Sequence, residues 1–519
     1  YGIFSEILEP RLEEIIREEN IESIANLMDG RLNTLFRYML GDEFAGLFHT
    51  YLQLEARCPH TIGYDRRAQR SAHPSNHLDH ARDAWLQFLK LRATGFSVEA
   101  ILKGGNTPED TEEFSGYMNS SYWLAAQIAQ GNEKVIEYLN QVLTSENNVH
   151  RLQRWYLHAI AISGHRPLLE LEGKLLLAAK LQEGLRQAIV ETMDEGCPES
   201  YLYLFSIIYN NGLQRFASVK RSIAVCTGIG EQDSSERITN KYVELIWNFL
   251  NHPETARNTL QSKDTVELYL ALWSIGFYDT DEIRAIVPDI IRKGAKHQIQ
   301  TLLYFLRCTQ SSQMNHLISK DAFEVWHDDP KVVAAILPLY MDGLYLSRYS
   351  DNKEAPTLSD YFETPEEAVR HYGYLKQVYQ SISAKEIYSP YVFPWDCVVL
   401  ARSDVVLKMA YIAWMTNDIR LREELCTYLP ALESYNRASY IGIVLARTES
   451  KVEQEYVLQS LGDRSADIRD EAYKVLSEMS LSPEQYQHIE ELLRFKYSEM
   501  RINAINLLMK QPEAQLAAS

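Results

Sequence analysis

The residues best suited to chemistry lie in the stretch 57–92, where one cysteine and four histidines occur close together. These candidate metal ligands are Cys58, His60, His73, His77 and His80. Thiolates and neutral imidazoles are the usual ligands of zinc, and spacings of four and three residues bring the last three histidines onto one helical face. Pro74 opposes a regular helix through His73, so these histidines also fit the exposed start of a helix. We expect no metal ion and no cofactor, with zinc as the alternative.

The same stretch is rich in basic residues. It contains seven Lys and Arg residues against three Asp, in a chain of 52 basic and 71 acidic residues with a formal net charge of −19. Such a basic island could hold a phosphate or an acidic partner segment. The alternative is a solvated loop whose arginines pair with acidic side chains of the same protein.

No sequence motif in the chain points to a catalytic centre. The patterns GxxxxGK[ST], HExxH and GxSxG are absent, and Gly228-Ile229-Gly230 lacks the preceding strand that a dinucleotide-binding loop requires. The acidic run 279–282 is typical of a helix start, where acidic side chains favour the helix dipole. We therefore predict no catalytic residues, and the sequence favours a protein that is not an enzyme without deciding the point.

Composition and charge exclude several classes of protein. There are only 23 glycines and 17 prolines, which opposes turn-rich β-sandwiches. A charge of −19 disfavours binding to nucleic acid or to anionic membranes. No apolar run reaches the ~18 residues that cross a bilayer. Six cysteines occur singly, without a CxxC pair, so we expect reduced thiols in a cytoplasmic protein.

Apolar residues follow a helical period along almost the whole chain. Near the N-terminus they recur at one face of a 3.6-residue helix, at Ile3, Ile7, Leu8, Leu12, Ile15 and Ile16. Helix starts are marked by a hydroxyl residue, a proline and an acid or amide three positions on, as at Thr364 and Ser482. Asp264 and Asp279 are likewise followed by an acidic residue three positions on, with the aspartate as the helix cap. These patterns predict an all-α protein.

An internal period of 32 residues is present near the C-terminus. Arg437, Arg469 and Arg501 are 32 residues apart, and five further columns of similar residues keep the same offset. Each unit fits a helix, a turn and a second helix, which bury one face and must stack on neighbours to complete a core. The offset therefore predicts stacked helix pairs from about residue 430 onward.

Residues 467–476 and their echo at 499–508 resemble the HEAT repeat. Both carry an aliphatic-Arg pair followed three residues later by alanine, in Ile468-Arg469 with Ala472 and in Met500-Arg501 with Ala504. The earlier unit departs from this pattern by having Tyr440 in the alanine column. The resemblance is clear over about 430–510. It implies a superhelical array of antiparallel helix pairs, a HEAT-like α-solenoid, which usually binds other proteins and less often nucleic acid.

Two stretches interrupt this helical pattern. Residues 346–364 are polar, and residues 388–396 contain two prolines and four aromatic residues. Long irregular connections are unusual unless they are functional. We predict four regions: an N-terminal helical region over 1–145, degenerate helical repeats over 146–344, an irregular insertion or joint over 345–400, and HEAT-like repeats over 401–519.

Tyrosine is the commonest aromatic residue, with 32 Tyr against 16 Phe and 8 Trp, and many tyrosines lie in 340–395. Tyrosine suits half-exposed surfaces and is enriched at interfaces. We predict that Tyr388, Tyr391 and Trp395 contact a partner, with sealing of the joint as the alternative.

Together these patterns favour a non-catalytic binding scaffold that presents a helical-repeat surface to a protein or peptide partner. The alternative is the helical-repeat portion of a larger multidomain enzyme or modification system whose chemistry lies outside this chain, suggested by a first residue that is Tyr rather than Met. A metal-dependent enzyme is a third hypothesis, which rests on the histidines alone.

Overall fold

Nearly every regular element among the described residues is an α-helix. The computed structural model describes residues 42–58, 98, 120–144, 152–227, 229, 238–278, 280–309, 312–350, 354–383, 387–390, 397–494 and 498–511. Within these ranges the all-α class predicted from the apolar spacing is confirmed. The described residues divide into two compact units, one within 1–288 and 304–311 and the other within 289–303 and 312–519.

The first unit contains helices α1 to α11 and parts of the next two. Their bounds are α1 Asp42–Arg57, α2 Ser120–Ala129, α3 Glu133–Thr144, α4 Arg154–Ser163, α5 Arg166–Ala178, α6 Glu183–Asp194, α7 Pro198–Asn211, α8 Ala217–Cys226, α9 Asn240–Asn251, α10 Pro253–Thr259, α11 Thr265–Tyr278, α12 Thr280–Lys293 and α13 Lys296–Thr309. A short 3-10 helix, Leu213–Arg215, follows α7. Residues 289–303 of α12 and α13 belong to the second unit.

Helices of the first unit pack mainly against the helix two places along the chain. One row runs through α2, α4, α6 and α8, and another through α3, α5, α7, α9 and α11. Within these rows the backbones of neighbouring helices come very close at particular residues. At Gly196, after α6, the backbone comes so near to α4 that an added Cβ would lie 2.6 Å from the Ala161 carbonyl oxygen. The next residue, Cys197, donates its backbone N–H to that same oxygen at 3.0 Å.

The second unit contains the remaining helices and two short strands. Their bounds are α14 Ser312–Trp326, α15 Pro330–Ile336, α16 Pro365–Ser381, β1 Ile387–Pro390, β2 Cys397–Leu400, α17 Arg402–Thr416, α18 Ile419–Leu425, α19 Ser434–Ile443, α20 Lys451–Ser460, α21 Ala466–Glu478, α22 Pro483–Leu492 and α23 Ser498–Leu508. Short 3-10 helices cover Leu358–Asp360 and Leu429–Ala431.

The predicted joint at 345–400 is more regular than its composition indicates. It contains α16 and an antiparallel pair of strands, with Ile387 opposite Leu400 and Pro390 opposite Cys397. β-Branched and aromatic residues favour strands, and the proline coincides with the end of β1. Both strands contact α15.

Several helix starts form as the sequence predicts. The side chains of Thr364 and Ser482 accept hydrogen bonds from backbone N–H groups three residues on, at the starts of α16 and α22. Ser450, which was not predicted as a cap, does the same at the start of α20. The carboxylate of Asp264 accepts from the N–H groups of Val266 and Glu267 before α11. Asp279 lies outside the described residues.

Helices near the C-terminus begin at regular intervals. Helices α19, α21 and α23 begin 32 residues apart, as do α20 and α22. Contacts run from α19 to α21 to α23, and from α18 to α20 to α22. The side chains of Tyr440, Ala472 and Ala504 are all buried. Arg422 and the fully buried Glu453 join α18 to α20 through two hydrogen bonds of 2.8 and 2.7 Å.

Among the described residues, none of the helices combines the length and the apolar character needed to cross a membrane.

Candidate functional site

A buried polar network joins α14 and α16 to the turn that follows α15. His316 of α14 is 1% exposed. Its Nδ1 accepts a hydrogen bond from the Met341 N–H at 3.0 Å, and its Nε2 lies 2.8 Å from the Tyr361 carbonyl oxygen. Because Nδ1 accepts a hydrogen bond and Nε2 faces a carbonyl oxygen, to which it must donate, the imidazole is neutral and protonated on Nε2. The ring therefore holds two backbone segments together without carrying a charge.

A second histidine belongs to a chain of three side chains. His371 of α16 lies 2.9 Å from the Tyr340 hydroxyl through Nδ1 and 3.0 Å from the Glu324 carboxylate through Nε2. A neutral ring accepts from the tyrosine and donates to the carboxylate. This order of groups could relay a proton, but Tyr340 is fully buried and its hydroxyl does not face solvent. The chain of hydrogen bonds therefore positions Tyr340.

Burial keeps both histidines neutral. It lowers the pKa of His316 and of His371 to about 4, although the Tyr361 carbonyl and the Glu367 carboxylate respectively oppose the shift. Glu367 is paired instead with Lys320, at 3.0 Å, and both side chains are largely buried. Among the described residues, Lys320 of α14 pairs with Glu367 of α16, and one turn further along each helix Glu324 contacts His371. Glu324 also accepts a hydrogen bond from Arg370 of α16 at 3.1 Å.

The network ends at a turn with unusual backbone angles. Met341 has φ +52° and Gly343 has φ +82°. A left-handed conformation at a buried non-glycine residue costs free energy and persists when its surroundings hold it. Here the hydrogen bond from the Met341 N–H to His316 and the burial of Tyr340 supply that restraint. The turn fixes the direction in which the following residues leave.

Residues 344–350, the strap segment, lie across α17, α19 and α21. The Tyr411 hydroxyl donates to the Leu344 carbonyl at 2.9 Å, and the Ser347 and Tyr435 hydroxyls are 2.8 Å apart. Arg348 donates its N–H to the Ser439 hydroxyl at 3.2 Å. The strap segment is thus bound by side chains of three helices.

The arginine of the strap segment enters an acidic site on α21. The Arg348 guanidinium lies 2.5 Å from an Asp467 carboxylate oxygen and 3.8 Å from Glu471, and its side chain is only 9% exposed. The two acidic residues are four positions apart and so share one face of the helix. We name the contacting side chains the strap-binding surface: Tyr411, Tyr435, Ser439, Asp467 and Glu471.

Two tyrosines of the strap segment face solvent. Tyr345 is 68% exposed and Tyr349 is 73% exposed, whereas the intervening Leu346 is 1% exposed. The Arg348 guanidinium lies 4.9 Å from the Tyr349 ring centroid, and the Tyr345 hydroxyl is 3.1 Å from that of Tyr435. Aromatic rings and an arginine are the residue types enriched at protein interfaces.

A partly buried lysine lies near the start of the strap segment. Burial lowers the pKa of Lys408 to about 8, although Asp342 and Asp404 oppose the shift. Its Nζ lies 5.6 Å from the Tyr411 ring centroid and has no hydrogen bond or ion pair to any described residue. A lysine of this kind has a substantial fraction of neutral, nucleophilic amine near neutral pH.

Comparison with known proteins places the chain in a family. A family model described as a family of unknown function (DUF5724) matches residues 4–519. The chain belongs to that family. No curated protein and no solved structure matches this DUF5724 member. Its chemistry must therefore be argued from its own residues.

The structure describes one of the five candidate metal ligands. Cys58 is 5% exposed at the end of α1, whereas His60, His73, His77 and His80 lie outside the described residues. Within the described ranges, no group of three or more His, Cys, Asp or Glu side chains is placed to hold a metal ion. Arg57, at the end of α1, forms an exposed ion pair with Glu199 at 2.6 Å. The other basic residues of the island lie outside the described residues.

The residues predicted to contact a partner remain predictions. The backbone of Tyr388 pairs with Val399 in the strands, and Tyr391 and Trp395 lie outside the described residues. Other tyrosines of 340–395 differ sharply in exposure. Tyr340 and Tyr372 are buried and cannot contact a partner, whereas Tyr345 and Tyr349 can.

Sequence reasoning missed His316, His371 and the strap-binding surface. Arg348 and Asp467 are 119 residues apart, and Tyr340 and His371 are 31 apart on different elements. No local spacing signals such contacts. A partial signal was available on α14, where His316, Lys320 and Glu324 recur every four residues and so mark one polar helical face.

Proposed function

We propose that this protein is a non-catalytic scaffold, a HEAT-like array of helix pairs whose surface binds a protein or peptide partner. The observation that carries the proposal is the strap segment. Three helices of the second unit already bind a non-helical stretch of polypeptide through a carbonyl, a hydroxyl and a guanidinium. Helical arrays present such surfaces without needing a catalytic pocket.

Regular packing supports the same proposal. Equivalent helices begin 32 residues apart, and contacts link helices two places apart in both units. This is the pattern that stacked helix pairs produce, because each pair must bury its apolar face against the next. We also propose a cytoplasmic location, with which the buried thiols of Cys197 and Cys426 agree.

Comparative affinity capture tests the scaffold proposal. Wild-type protein, Asp467→Asn and the control Glu478→Gln, which changes an exposed acidic residue on the same helix, are incubated with lysate of the native host. We expect proteins that are enriched equally by wild type and control but reduced by Asp467→Asn, with cross-links to α19 or α21.

Equal capture by all three proteins would contradict the proposed surface. A parallel variant, Tyr388→Ala with Tyr391→Ala, tests the surface predicted from the sequence. If only that variant loses a partner, the partner binds at residues 387–400 and not at the strap-binding surface.

A further inference from the structure

The strap segment has the features of a bound peptide ligand. The Leu344 carbonyl accepts a hydrogen bond from Tyr411, the side chains of Leu346 and Ser347 are buried, and the Arg348 side chain enters the acidic site. The segment ends in a turn, in which the Ser350 N–H donates to the Ser347 carbonyl at 3.1 Å. Peptide ligands are recognised in the same way, by hydrogen bonds to the main chain and by side chains that fill fixed positions on the surface.

The acidic site favours arginine in particular. Nη2 of Arg348 donates to the Asp467 carboxylate at 2.5 Å, and Nη1 lies 3.3 Å from the Asp467 carbonyl oxygen. A planar guanidinium can reach both acceptors at once, which a lysine ammonium on a flexible stem does less well. Glu471 lies close to Gly442 of α19. A Cβ added at Gly442 would be only 2.6 Å from Oε2 of Glu471, so the absence of a side chain at Gly442 leaves room for this carboxylate.

The acidic site does not satisfy the arginine of the strap segment completely. Nε of Arg348 is buried without a hydrogen-bond partner, and an unsatisfied buried donor reduces the stability of a contact. The segment is also not part of a helix or a strand, so releasing it breaks no helical or sheet hydrogen bonds. A second segment with the same anchors can therefore compete for the surface.

We propose that the strap-binding surface takes, from a partner, a non-helical polypeptide segment that presents an arginine two residues after a buried aliphatic residue, and that this segment displaces residues 344–350. The inference rests on the proposed scaffold function and names its ligand. The chain's acidic balance of −19 agrees with a basic ligand.

A synthetic peptide tests the displacement directly. A fluorescent peptide with the sequence of residues 343–350, GLYLSRYS, is titrated with the full chain, with Arg348→Ala and with the double variant Leu346→Ala/Arg348→Ala. We expect fluorescence anisotropy to show binding to both variants, and at least tenfold weaker binding to the wild type, whose own strap segment occupies the surface.

Two controls make the result specific. A peptide with lysine in place of its arginine should bind the variants at least tenfold more weakly, and Glu471→Gln in the Arg348→Ala background should weaken binding of the original peptide. Circular dichroism identifies any variant that fails to fold, and the single variant then replaces the double one.

Absence of binding to a folded Arg348→Ala variant would overturn the inference, as would equal binding of the arginine and lysine peptides. Neither result bears on the capture experiment, so the scaffold proposal could survive this failure. Binding of the peptide together with unchanged capture by Asp467→Asn would support the inference while contradicting the proposed partner surface.

Discussion

Two buried histidines make the second unit sensitive to acid. Burial lowers the pKa of His316 and His371 from 6.5 to about 4. Between these values the unfolded chain binds protons that the folded chain does not, so stability is complete above pH ~6.5 and falls as the pH falls towards 4. Each histidine contributes a slope of about 1.4 kcal/mol per pH unit in that window.

We expect the double substitution His316→Gln/His371→Gln to reduce this slope. Glutamine keeps one donor and one acceptor but does not titrate. The measurement is the free energy of unfolding in urea at several pH values between 4.5 and 7, with the exposed His488→Gln as the control for losing a histidine. A slope that the double variant leaves unchanged would show that other groups set the acid sensitivity.

Lys408 should be an unusually reactive amine. Because burial lowers its pKa to about 8, a substantial fraction is neutral at pH 7.5. We expect acetic anhydride labelling, followed by mass spectrometry, to reach half its maximum near pH 8 at this residue. Lys451, an exposed lysine of α20, provides the reference profile in the same sample. Matching profiles for the two lysines would contradict the prediction.

At the scale of elements, close packing of the residues after α6 against α4 depends on the absence of a side chain at Gly196. We expect Gly196→Ala to lower the free energy of unfolding by about 1–3 kcal/mol, because the new Cβ would lie 2.6 Å from backbone of α4 that cannot move aside easily. Gly184→Ala, in α6, is the matched control because nothing lies within 4 Å of its added Cβ. Thermal unfolding followed by circular dichroism compares them, and equal melting temperatures would refute the packing argument.

Local elements were predictable because their causes are local. The caps at Thr364 and Ser482 depend on a hydrogen bond across three residues, which a sequence displays directly. The strands at 387–390 and 397–400 were missed because each has four residues, too few for a two-residue alternation to stand out. The strap segment was missed for a different reason: its polar sequence fits a loop, and its partners are set by tertiary packing.

At the scale of the whole molecule, the net charge leads to a prediction about nucleic-acid binding. With a net charge of −19 it lacks the excess of cations that supplies most affinity for phosphate backbones. We expect no shift of duplex DNA in a gel assay at ~0.15 M salt, where screening leaves short-range contacts intact. A shift that weakens steeply with added salt would reveal a cationic surface and contradict the prediction.

The ion pair between Arg348 and Asp467 has a further consequence because the strap segment is covalently attached to the surface that binds it. A short tether gives a ligand an effective concentration on the order of millimolar. A free segment that makes only the same contacts would have to approach that concentration to displace half of the strap segments. A scarce partner must therefore add contacts that the strap segment lacks, or present several such segments along the row of helices. The attachment would thus act as a threshold that separates specific partners from the many arginine-containing segments in a cell.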